Sequence, residues 1–138
     1  MIGDASNAGL RKGGSEDQRK DRLEKLSRIC LALPQTARED KGSHAAFSVV
    51  KKVFVYYLND HHGDGIVGFC CKVLPGDNEQ LIASNPQKFY MPAYVGSRGW
   101  VALRLDRRTV DWAEVKELVR CSYMLCAPKR LSRLVEAG

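Results

Sequence analysis

Apolar residues recur at helical spacing near both ends of the chain and alternate in between. Leu23, Leu26, Ile29, Cys30 and Leu33 fall on one face of a helix, and Arg19, Lys20, Arg22, Lys25 and Arg28 fill the other. Ser15-Glu16-Asp17-Gln18 ahead of them has the capping-box pattern, with Ser15 as N-cap, and Pro34 ends the helix. Trp112, Val115, Leu118, Val119, Ser122, Tyr123 and Cys126 repeat at the same period behind a second cap signal, Asp111-Trp112-Ala113-Glu114. Pro128 fits the first turn of a last helix carrying Leu131, Leu134 and Val135.

The middle of the chain changes period. Residues 35–46 are polar and turn-like. Residues 47–50 and 53–58 read as strands, rich in Val, Phe and Tyr. Asn59-Asp60-His61-His62-Gly63-Asp64-Gly65 is turn chemistry throughout, and residues 66–73 read as the returning strand of a hairpin. Pro75-Gly76-Asp77 opens a short helix with Leu81 and Ile82 facing inward, closed by Asn85-Pro86. Aromatics, one Pro and two Gly then crowd the segment from Phe89 to Trp100, which leads into a last strand over residues 100–105. A hairpin-rich centre with helices at the ends predicts an α+β fold: a small antiparallel sheet with helices packed on one face.

Composition bounds the picture. The 138 residues make one domain by size, and 44% hydrophobic content supports a real core. Residues 1–14, rich in Gly, Asn, Ser and basic residues, read as a flexible tail, and residues 15–138 as a single domain. No apolar run approaches the ~18 residues that cross a bilayer, and the first residues lack a basic and then apolar leader. A cytoplasmic protein without a membrane partner is the expectation. The five Cys (30, 70, 71, 121 and 126) are odd in number and contain no C-x-x-C, so reduced, mostly buried thiols are expected.

Charge adds a partner class. The formal net charge is +6. Residues 1–28 carry seven Lys/Arg against five Asp/Glu, residues 29–97 balance at six each, and residues 98–138 carry nine against five. A surplus of this size favours an anionic partner such as nucleic acid, and reads equally as a solvated basic surface.

Strand parity sharpens this. Val67, Phe69, Cys71 and Val73 share one face, as do Val101, Leu103 and Leu105. Gly68, Cys70 and Lys72 share the other, with Trp100, Ala102 and Arg104. The apolar set should meet the helices. The second set leaves an open face with Lys72, Arg104 and Trp100, where cations neutralise phosphate and a ring stacks on a base. The competing reading is a Trp packed under the preceding loop. Lys51-Lys52 at a hairpin turn reads as a phosphate contact or as a charge that keeps an edge soluble. His61-His62 between Asp60 and Asp64 invites a metal, although Asn, Asp and Gly are also what a hairpin turn uses. No nucleophile elbow, zincin, P-loop or dinucleotide motif is present, and no catalytic residue, cofactor or metal site is assigned.

A set of short motifs completes the reading. They are Phe47-Ser48-Val49-Val50-Lys51-Lys52-Val53-Phe54, Lys72 before Pro75-Gly76, and Phe89 followed by Pro92-Ala93-Tyr94-Val95-Gly96. Gly99-Trp100-Val101, Asp111-Trp112, Ser122-Tyr123 and Ala127-Pro128-Lys129-Arg130-Leu131 follow in order. This set, over roughly residues 18–136, resembles the MmcQ/YjbR family. The resemblance implies a small antiparallel sheet of the frataxin (CyaY-like) kind and a double-wing DNA-binding motif. It implies Lys51 or Lys52, Lys72 and Trp100 as candidate contacts and no catalytic residue. Gly99 stands where other branches carry a polar His. The frataxin likeness also raises iron binding, but the first helix mixes Glu16, Asp17, Asp21 and Glu24 with five basic residues and forms no acidic ridge. The expectation is a non-enzymatic DNA-binding protein using Lys51, Lys52, Lys72 and Arg104, with Trp100 as packing or stacking surface. The alternative is a protein-interaction or small-ligand module using the Phe89 to Trp100 loop.

Overall fold

A computed structural model of the chain describes residues 16–137; the tail reading of residues 1–14 and the Ser15 cap lie outside the described residues. Helix α1 (Glu16–Leu31) comes first, followed by β1 (Thr36–Lys41), β2 (His44–Val49), β3 (Lys52–Asn59) and β4 (Val67–Lys72). Then come α2 (Asp77–Ser84), β5 (Phe89–Tyr90), β6 (Trp100–Arg104), α3 (Trp112–Cys126) and α4 (Lys129–Ala137). The strands form one six-stranded sheet in the order β1-β2-β3-β4-β6-β5, with every neighbouring pair antiparallel. The fold is α+β.

The apolar parity set forms the main core. Val67, Phe69, Cys71, Val101, Leu103 and Leu105 are buried with Leu26 and Cys30 of α1 and with Val115, Val119 and Tyr123 of α3. Asp111 caps α3 as the sequence predicts, its side chain accepting from the amides of Ala113 and Glu114. Arg22 ties α1 to the loop after β6, donating to the carbonyls of Leu105 at 3.1 Å and Arg107 at 3.0 Å.

Four sequence expectations need correction. Residues 35–46 are not a turn: β1 and the start of β2 form a hairpin there. β1 is an edge strand whose Arg38, Glu39, Asp40 and Lys41 hide its pattern, and such charges protect an edge from further pairing. Phe89-Tyr90 pairs with Leu103 and Ala102 as a two-residue edge strand rather than a plain connection. Leu134 of α4, grouped by the sequence with Leu131 and Val135, is 61% exposed, whereas Leu131 is buried and Val135 packs against the core.

The fourth correction concerns the second sheet face, which is not open. Cys70, Trp100 and Ala102 are buried there, packed by Val53, Tyr56, Leu58, Tyr90 and Val95. The segment after β5 folds back over this face. Gly96 allows that close return, since a Cβ there would lie 2.6 Å from the Met91 sulfur.

Candidate nucleic-acid interface

One end of the sheet gathers four of the five candidate residues, Lys51, Lys52, Lys72 and Trp100. At the β2–β3 turn Val50 and Lys51 both adopt positive φ, 47° and 68°. This is the pattern of a two-residue type I′ hairpin turn, which favours Asn and Gly. Here it carries a β-branched Val, and Val50, Lys51 and Lys52 are all exposed at the tip.

An irregularity lies just inside the turn. Phe47 pairs with Val55 but Ser48 pairs with Val53, leaving Phe54 as an extra residue in β3. Phe54 and Val55 are therefore both fully buried on the helix side. On the β4 side, Phe54 faces Lys72, and the ladder bond between them is replaced by a side chain. The amide of Lys72 donates to Ser122 Oγ at 2.9 Å, and that hydroxyl donates to the carbonyl of Phe54 at 2.7 Å. Ser122 is wholly buried. Its neighbour Tyr123 packs edge-on against Phe54 and donates its hydroxyl to the carbonyl of Pro34 at 2.7 Å. The Ser122-Tyr123 pair thus fastens α3 to the bulge and to the end of α1.

Lys52 opens β3 and Lys72 closes β4, its antiparallel neighbour, so both stand at this end of the sheet. Burial pushes the Cys126 thiol up, and the ammonium groups of Lys52 and Lys72 both pull it the other way. Lys129 and Arg130 follow at the start of α4, both exposed. Among the described residues none of Lys51, Lys52 and Lys72 forms an ion pair with a carboxylate.

Arg104 stands apart from this end, whereas Trp100 lies at it but is buried. Lys72 pairs with Trp100, and Arg104 pairs with Gly68 four residues further along β6, about 13 Å at strand rise. Arg104 is bound in two-pronged fashion to Asp106, both bonds at 2.9 Å, and the Asp106 side chain is 1% exposed. Trp100 is 7% exposed, with its ring 5.6 Å from Tyr56 and its carbonyl accepting from Asn78 Nδ2 at 3.1 Å. The packing reading of Trp100 describes this position.

Asp60, Asp64 and His61 are engaged in the fold. Asp60 Oδ1 accepts from the Gly65 amide at 2.5 Å and Asp64 Oδ1 from the Ile66 amide at 2.9 Å, closing the β3–β4 turn. His44 Nδ1 accepts from the Asn59 amide at 3.1 Å, and its ring meets His61 edge-on at 5.3 Å. All five cysteines are free, and desolvation raises the thiols of Cys30, Cys70 and Cys71. Sequence reasoning passed over the roles of Ser122 and Asn78. A polar residue in a helical apolar stripe was the available signal for Ser122, because a buried hydroxyl must find partners.

Comparison with known proteins agrees with the motifs. The YjbR family model matches residues 31–125. The chain belongs to the YjbR family. Within that span lie all six strands and nearly all of α3, including the bulge, both lysine sites and Ser122-Tyr123. Among solved structures, the YjbR chain is similar to the Deinococcus radiodurans protein DR2400, a DUF419-domain protein. The two are 26% identical, with a TM-score of 0.60, over 75% of this chain and 76% of that one. No functionally curated protein matches.

Proposed function

We propose that this YjbR-family protein binds DNA through its phosphate backbone, using Lys51, Lys52 and Lys72 at one end of the sheet. The observation that carries the proposal is that Lys52 and Lys72 stand on adjacent antiparallel strands at one end of the sheet, beside the exposed turn bearing Lys51. Among the described residues none of the three is neutralised by a carboxylate, whereas Arg104 is held by Asp106. Unpaired cations on a rigid support are what phosphate binding requires. Arg104 and Trp100 act in the fold instead.

Fluorescence anisotropy of the full chain against duplex DNA across a salt series tests this. Replacing Lys51, Lys52 and Lys72 by Gln should flatten the slope of log affinity against log salt by about 0.9 for each phosphate that is no longer neutralised. Binding that persists with an unchanged slope in the triple variant rules out this surface. A wild-type chain that ignores DNA at low salt rules out the function.

A second reading is favoured by one observation: Met91 and Tyr94, in the loop between β5 and β6, are 46% and 78% exposed. An apolar and aromatic surface of this kind suits a protein partner. Association through it would survive high salt and be abolished in Tyr94→Ser.

A further inference from the structure

A cleft of about 650 Å³ opens between the end of β4, the entry to α2 and the short helical turn Gly96–Arg98. That volume lies within the range of small-molecule sites. Gly76, Gly96 and Gly99 are part of its wall, and at Gly76 the space a side chain would fill is open, so a ligand can approach the main chain there. Gly76 and Gly99 hold φ of 87° and 88°, which other residues rarely adopt.

The cleft is built before any ligand arrives. Asn78, itself 6% exposed, donates to the carbonyls of Gly96 and Trp100, both at 3.1 Å, and joins α2 to the turn. The Val73 amide donates to the Gly99 carbonyl at 3.1 Å and joins β4 to the same turn.

Its charge is distinctive. Lys72 and Arg98 both line the cleft, the first from the end of β4 and the second from the Gly96–Arg98 turn. Among the described residues neither is paired with a carboxylate. One carboxylate, Glu79, is also part of the lining. An ammonium and a planar guanidinium together suit the oxygens of a phosphate group, the first as a point charge and the second as a fork. Glu79 can accept from a hydroxyl on the organic part of the same molecule.

We propose that this cleft is a binding site for a phosphate monoester carrying a hydroxylated organic group, held by Lys72 and Arg98 with Glu79 on the hydroxyl. The site goes beyond the DNA surface, with which it shares only Lys72. A phosphate monoester occurs both as a free small molecule and as the 5′ end of a strand.

Amide chemical-shift titration of the isotopically labelled full chain tests the proposal, with inorganic phosphate and then ribose 5-phosphate as probes. Chloride at matched ionic strength is the control. The expected result is saturable shifts clustered at Gly76, Gly96, Ser97 and Gly99, with ribose 5-phosphate binding more tightly than inorganic phosphate. Arg98→Gln and Lys72→Gln should each weaken binding about tenfold, as removal of one charge-assisted hydrogen bond predicts. Absence of saturable shifts, or the same shifts with chloride, overturns the proposal.

A single-stranded oligonucleotide with a 5′-phosphate, beside its 5′-hydroxyl twin, separates the two sources. Shifts at these amides from the phosphorylated strand alone assign the site to strand ends. A response to ribose 5-phosphate but to neither strand assigns it to a free molecule, and both results uphold the cleft. The outcomes are also distinct from those for DNA. A chain that binds duplex DNA with the expected salt slope but shows no cleft shifts overturns this inference alone. Cleft shifts without duplex binding overturn only the DNA reading.

Discussion

At the scale of single residues, Ser122 shows how much one hydroxyl can hold. It accepts from the Lys72 amide and donates to the Phe54 carbonyl where the bulge has broken the ladder. In Ser122→Ala both backbone groups are left without a partner inside the core, and each unsatisfied group costs about 1–3 kcal/mol. Urea unfolding should show a destabilisation of about 2–4 kcal/mol with an unchanged m-value. A change below about 0.5 kcal/mol would mean that water or another group takes over. Val50 presents the opposite case. Its φ of 47° is strained for a β-branched side chain. Val50→Asn should raise stability by about 1 kcal/mol, read as a higher urea midpoint, because Asn suits the first position of a type I′ turn. Neither effect was legible in the sequence. Ser122 looked like one more member of a helical stripe, and Val50 looked like the end of a strand.

At the scale of elements, local rules were legible wherever a side chain acts on its own neighbours. The Asp111 cap was read from four residues and is present. Asp111→Ala should cost about 1 kcal/mol of stability in the same urea assay and leave the salt slope of the proposed DNA binding untouched. Elements whose existence depends on a distant partner were not legible. β1 carries no alternation, because one edge faces water and its side chains are charged. β5 has only two residues and exists because β6 lies beside it. Strand parity placed the faces of β4 and β6 correctly. It did not show that the segment between β5 and β6 would return to cover the second face and bury Trp100.

At the scale of the molecule, burial of thiols and phenols makes a prediction for alkaline pH. Burial holds the Cys30 and Cys71 thiols well above their usual range, and pushes Cys70 and Tyr57 up to about 12. Above pH ~9 the unfolded chain releases these protons while the folded chain keeps them. The unfolded state then binds fewer protons, so stability falls as pH rises. The urea midpoint should be flat from about pH 7 to 8.5 and fall steadily by about pH 11. A constant midpoint would show that these thiols and phenols are not protonated preferentially in the fold. The sequence by itself determined the helices, the apolar face of the sheet and the basic surplus, because each follows from local spacing, turn chemistry or count, and its motifs carried the family resemblance. Only the tertiary structure decided which cations are available. Asp106 is two residues from Arg104 and neutralises it, while strand pairing brings Lys52 and Lys72 to one end of the sheet. The placement of the lysines depends on partners dozens of residues apart, which periodicity cannot encode.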